Sequence, residues 1–265
     1  MPRIEHESTE RVLSQSVIER KHSFNGLELL IARGCTDELS ELLITIVKNQ
    51  GTTWFESYIR DEYSKSRRKV YFPILEGTKV VVKEKAPKED ASQAKLRYFT
   101  ESIVHEFKTS YLLQKLLSEM ELPDKVLYLG KKFRLSYEAQ TPLAGILNLT
   151  DSTKRYTIFK YISGTSVRDE VALNGGWENT SQSKRELFGQ FHDVLNKISN
   201  QLIKFDVEPW DLGVHQLVYT INQSDDSIHV GILDTEEYNF SARYGDHWPK
   251  SFIEIGLPVI LPFLD

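Results

Sequence analysis

Residues 69–85 read KVYFPILEGTKVVVKEK. Two apolar, largely β-branched runs flank Glu76-Gly77-Thr78, and a glycine-containing turn between such runs is a hairpin signature. The second run carries three valines and then Lys83. A strand that ends its apolar run on a lysine sets a cation at the border of a sheet.

Downstream, residues 98–119 predict a long helix, with Phe99, Ile103, Phe107 and Leu113 near one face. Lys125–Leu129 and Arg155–Tyr161 predict strands, with unassigned chain between them. The stretch SQSKRELFGQFHDVLNKISNQL predicts an amphipathic helix, because Leu187, Phe191, Leu195 and Ile198 recur at spacings of three or four. After it come an Asp-rich loop, FDVEPWDLG, a strand HQLVYTI, a polar turn NQSDDS and a strand HVGILD. Upstream, Leu39, Leu42, Leu43, Ile46 and Val47 recur at helical spacing behind the capping residues Thr36 and Asp37, although the inner run LLITIV also suits a buried strand. A short apolar stretch runs from Leu29 to Ala32, and Trp54, Phe55 and Ile59 read as strand-like. Strands with one helix, followed by a helix, a loop and a hairpin, predict an α+β fold in two unequal halves.

Composition sets outer limits. The 265 residues are 40% apolar and 27% charged, enough for a sizeable core. A net charge of −5 gives no basis for non-specific nucleic-acid binding. The single cysteine, Cys35, excludes an intramolecular disulfide and a cysteine-rich zinc site. No run reaches the roughly eighteen apolar residues of a membrane helix, and the polar start MPRIEHESTERVLSQ lacks an apolar signal core. The expectation is a cytoplasmic protein without membrane insertion, or an effector delivered into the cytosol of another cell.

Three acidic residues stand at strand and loop ends. Asp206 and Asp211 lie in the Asp-rich loop, and Asp234 ends an apolar strand that a hairpin returns towards them. Gathered carboxylates repel one another and so favour a bound cation. Taken singly, Asp206 and Asp211 also suit turn or capping positions near Pro209 and Gly213, and Lys83 also suits an exposed edge.

In order, four segments resemble the protein-kinase superfamily, over roughly residues 54–240. DVEPWDLG resembles the catalytic loop, HVGILDTEEYN the strand and metal-binding aspartate that follow it, KVYFPILEGTKVVVKEK the hairpin ending in the phosphate-binding lysine, and TIFKYISGTSV the gatekeeper and hinge. The resemblance implies a two-lobed kinase-like fold: an N-terminal helical extension over 1–50, a β-rich N-lobe over 51–163 and a reduced helical C-lobe over 164–265. It implies ATP and Mg2+ as cofactors, with Asp206 as catalytic base, Asp211 and Asp234 as metal ligands, and Lys83 on the α- and β-phosphates. Phe159 falls near the gatekeeper, and Lys160, Tyr161 and Ile162 offer backbone groups to adenine. Glu106 is the helix glutamate that pairs with Lys83, although aligning on the LLQKL run moves that place to Thr109 or Ser110.

The chain departs from the family pattern at several places. Phe205 stands for an arginine, Asp211 for an asparagine, and Glu208 for a lysine near the transferred phosphate. Basic side chains of SKSRRK, 64–69, occupy the place of a glycine-rich loop. The segment after Asp234 is short and shows no Ala-Pro-Glu-like element. The implied activity is phosphoryl transfer to a hydroxyl, a protein acceptor slightly ahead of a small molecule. The alternative is a catalytically weak, nucleotide-binding scaffold.

Overall fold

A computed structural model describes residues 17–58, 69–85, 93–150, 154–204, 207–209, 212–233 and 238–240. Along the chain run β1 (Ile18–Phe24), β2 (Leu27–Ala32), α1 (Asp37–Gln50), α2 (Thr53–Glu56), β3 (Lys69–Tyr71), β4 (Ile74–Leu75), β5 (Thr78–Lys85) and α3 (Gln93–Glu119). Next come β6 (Lys125–Tyr128), β7 (Lys131–Ala139), β8 (Pro142–Asn148), β9 (Arg155–Lys160), β10 (Thr165–Ser166), α4 (Val167–Leu173) and α5 (Gln182–Lys204). The last are β11 (Val207–Pro209), a 3-10 turn (Val214–Gln216), β12 (Leu217–Asn222), β13 (Ser227–Ile232) and β14 (Tyr238–Phe240). The mixture is α+β, in two compact units: Ser14–Ser110 with Thr141–Tyr161, and Tyr111–Gln140 with Ile162–Asp265.

The first unit is built on an antiparallel sheet ordered β1-β2-β8-β9-β5-β3, with β4 also pairing β5. The 69–85 hairpin forms as its sequence predicts: Tyr71 pairs with Val82, and Leu75 with Thr78. Glu76 and Gly77 both take positive φ, 44° and 85°. Two successive left-handed residues give the tight hairpin turn whose twist matches that of its strands. Val80 and Val82 point into a core with Leu29, Ile31, Leu43, Val47, Phe55, Ile146 and Ile158.

Two features of this unit differ from the sequence reading. The described part of 1–50 is not helical throughout: β1 and β2 form a hairpin at the sheet edge, and the helix follows it. Its turn is Asn25-Gly26, with φ of 45° and 80°, a strong hairpin signal. Arg20 and His22, which stand at half-buried positions of IERKHSF, hide that strand's alternation. Arg20 reaches from β1 to Asp37 and Glu41 of α1, at 3.0 and 3.1 Å. Thr36 caps α1, its Oγ1 accepting from the Leu39 N–H at 3.4 Å, so LLITIV is helix. Trp54 and Phe55 lie on the short helix α2, not on a strand. Phe55 buries itself by ring contact with Tyr71 and Tyr156, centroids 5.3 and 4.9 Å away.

The second unit holds a five-stranded sheet ordered β10-β12-β13-β7-β6. Its β12–β13 hairpin is the predicted one, and β13 runs parallel to β7, with His229 opposite Ser136. The predicted amphipathic helix is α5, whose buried stripe Leu187, Phe188, Phe191, Val194, Leu195, Ile198 and Leu202 joins a core with Phe133, Tyr219 and Val230. Gln190 on α5 grips the outer strand: its Nε2 donates to the Leu127 carbonyl at 3.0 Å, and its Oε1 accepts from the Leu127 N–H at 3.1 Å. Glu170 of α4 is buried, accepts a hydrogen bond from the Tyr219 hydroxyl and pairs with Lys184. No helix among the described residues is long and apolar enough to cross a membrane.

Candidate functional site

Strand alternation decides where Lys83 points. Val80 and Val82 enter the core, so Val81 and Lys83 share the opposite face of β5. Directly opposite residues share a face in an antiparallel pair. Val81 is opposite Phe159, and Lys83 is opposite both Thr157 and Val70. An exposed edge lysine is therefore not what forms: Lys83 is 8% exposed on an inner strand.

Glu106 meets it from α3. The Lys83 Nζ lies 3.6 Å from Glu106 Oε1, and the glutamate is fully buried. Thr109 and Ser110, the other residues that sequence alignment left in contention, are buried on the same helix, but Glu106 supplies the paired carboxylate. Phe159 is fully buried beside the pair: the Lys83 ammonium sits 4.8 Å from its ring centroid, and Phe107 meets it edge-on at 6.1 Å. Carboxylate and ring together hold the ammonium away from water.

Tyr161 follows β9. Its N–H donates to the Lys79 carbonyl at 3.2 Å, while the Lys160 N–H donates to the Thr141 carbonyl at 2.9 Å. The Tyr161 ring carries the Lys79 ammonium 3.9 Å from its centroid and meets Phe72 edge-on at 6.0 Å. Ile162 opens the next unit and anchors there. A Cβ at Gly231 would lie 2.5 Å from Ile162 Cγ2 and 2.8 Å from Val218 Cγ2, so glycine is what admits the isoleucine.

Asp206, Asp211 and Asp234 lie outside the described residues, as do Phe205 and Trp210. The backbone around them is described in part. Val207–Pro209, between Asp206 and Asp211 in the sequence, pairs antiparallel with Tyr238–Phe240, a few residues beyond Asp234. The Leu233 N–H, next to Asp234 in sequence, donates to the Gln216 carbonyl at 2.8 Å. Both pairings are between described residues that flank the three aspartates in sequence. Among the described residues no group of three His, Cys, Asp or Glu could hold a metal ion. Carboxylate oxygens are the donor type that magnesium takes.

No family model and no curated protein matches this chain. The site is therefore read from its own residues. Sequence reasoning placed Lys83, Glu106 and Phe159 together through resemblance alone. It missed Thr157 opposite Lys83, Lys79 over the Tyr161 ring, and Gly145 opposite Thr157. The one available signal was Gly145 itself, a glycine inside the apolar run PLAGILN, which in a strand marks a close approach.

Proposed function

We propose that the chain is an ATP- and Mg2+-dependent phosphotransferase that moves the γ-phosphate to a hydroxyl, with protein Ser, Thr or Tyr ranked ahead of a small molecule. The observation that carries this reading is the buried pair of Lys83 and Glu106, 3.6 Å apart. A buried ion pair is poor support for stability, because apolar replacements of similar volume do as well or better. Its place here fits a cation held ready for an anionic ligand. In this reading Lys83 neutralises the α- and β-phosphates, and Glu106 keeps its ammonium in place. Asp211 and Asp234 supply metal-binding carboxylates, and Asp206 accepts the proton of the acceptor hydroxyl. The tethers between β11 and β14, and between Leu233 and Gln216, support convergence of the acidic segments. Val70 and Val81 add apolar side chains on the Lys83 face, suited to a purine.

Labelled ATP, magnesium and a cell lysate test the activity. Wild type is expected to transfer label, and Asp234→Asn is expected to lose several kcal/mol of transition-state stabilisation. Equal transfer by the two proteins overturns the assignment. Glu208, with its charge opposite to the expected lysine, favours a second reading: a nucleotide-binding scaffold with little turnover. Thermal stabilisation by ATP without transfer selects that reading. Mass spectrometry of the product checks that phosphate is the group transferred.

A further inference from the structure

Gly145 sits in the middle of β8, hydrogen-bonded between two strands and paired with Leu30 and Thr157. Glycine weakens a strand interior relative to alanine, so its place calls for a reason. The reason is on α3: a Cβ at position 145 would lie 2.5 Å from Ile103 Cγ2 and 3.1 Å from its Cδ1. Ile103 is fully buried in that notch. Glu106 and Phe107 follow one helical turn later, on the same side of α3. Phe107 in turn stands edge-on to Phe159. Glu106 is therefore bracketed along the helix by a knob in a glycine notch and by a ring-on-ring contact.

We propose that Gly145 and Ile103 are positioning residues that lock α3 in the register presenting Glu106 to Lys83, so that the cation is set without an activating event. The regulatory part of this inference rests on the phosphotransferase reading above; the lock itself does not. A helix seated by a side chain in a notch cannot rotate or slide without lifting that side chain out, because packed interiors are bistable and not continuously deformable. The pair would then be a fixed part of the fold.

The test uses the full chain in four forms: wild type, Gly145→Ala, Ile103→Leu and the double variant. Leucine keeps the volume and removes the γ2 methyl that clashes with a new Cβ. One readout needs no nucleotide: acetylation of Lys83 by acetic anhydride, quantified by mass spectrometry against exposed Lys48 and Lys125. Another is the ATP·Mg2+ dissociation constant by calorimetry. Gly145→Ala is expected to raise Lys83 labelling and weaken ATP binding, each by about tenfold. The double variant is expected to return both to within about threefold of wild type. Wild-type behaviour of Gly145→Ala, or no recovery in the double variant, overturns the lock. Should Gly145→Ala not fold, Ile103→Ala, which removes the knob and keeps the notch, is expected to raise Lys83 labelling; unchanged labelling overturns the lock. Absence of ATP binding in wild type removes the nucleotide reading and the regulatory inference with it, while the labelling pattern still decides the packing.

Discussion

Lys83 Nζ lies 3.6 Å from Glu106 Oε1, with the lysine side chain 10% exposed and the glutamate 0%. That relationship joins an inner strand to a helix through two charges kept out of water. Removing one member of a buried pair costs about 3 kcal/mol or more, whereas removing both is much milder. Lys83→Met and Glu106→Leu are each expected to lower stability by about that amount, and the double variant by clearly less than the sum. Urea denaturation of the four proteins measures this. Strict additivity would mean that the charges do not interact.

The grip of Gln190 on Leu127 predicts a different failure. Both hydrogen bonds go to the backbone of β6, the outer strand of its sheet. An outer strand with unpaired backbone groups is a template for association. Gln190→Ala is expected to cost about 1–2 kcal/mol and to promote self-association with rising concentration. Light scattering after gel filtration checks it, and a variant that stays monomeric at high concentration contradicts it.

Cys35 gives a pH prediction. Burial, the main cause, pushes its thiol up to about 11 from an ordinary 9.0, with the Arg20 charge opposing. A folded value above the unfolded one means that the folded chain holds its proton longer. The contribution is complete below pH 9.0 and is lost as pH rises towards about 11. The size is about 3 kcal/mol at most. Wild type is expected to lose more thermal stability between pH 8.5 and 10.5 than Cys35→Ala does. At neutral pH the thiol is expected to react slowly with iodoacetamide in the folded state and quickly in urea.

The Asn25-Gly26 turn is expected to be intolerant. Gly26 has φ of 80°, and a Cβ there would lie 2.6 Å from Thr150 Cγ2. Gly26→Ala meets both backbone strain and a side-chain clash, and about 1–3 kcal/mol of destabilisation is expected. Thr150→Ser in the same protein is expected to relieve the clash alone. Thermal denaturation of the single and double variants separates the two parts.

Legibility of the sequence followed the strength of local signals. The 69–85 hairpin, α3 and α5 each combine a long apolar period with turn or charge boundaries, and all three form close to their predicted limits. In β7 the alternation of Phe133, Leu135, Tyr137 and Ala139 is a legible strand signal, whereas PLAGILN is apolar without a period; what no local pattern announces is the pairing, of β7 parallel to β13 and of β8 with β2. Trp54 and Phe55 misled because aromatic residues favour strands on average, while here three rings pack around Phe55 on a single helical turn. At the candidate site, resemblance points to Lys83, Glu106 and Phe159; burial is the same for Glu106, Thr109 and Ser110, and the 3.6 Å pairing with Lys83 is what distinguishes the glutamate. Gly145 was visible but unexplained, because a notch has meaning only with its knob in view.

The parallel pairing of β7 with β13 reaches beyond the finished fold. Ser136 and His229 face one another across 93 residues of chain. During synthesis, β7 must wait until β13 has been made before its parallel neighbour exists, and closing a span of that length is entropically costly. A ribosome paused before Ser227 would therefore display β7 with one side unfilled. The vulnerable moment of this protein lies in its making, ahead of any work it does.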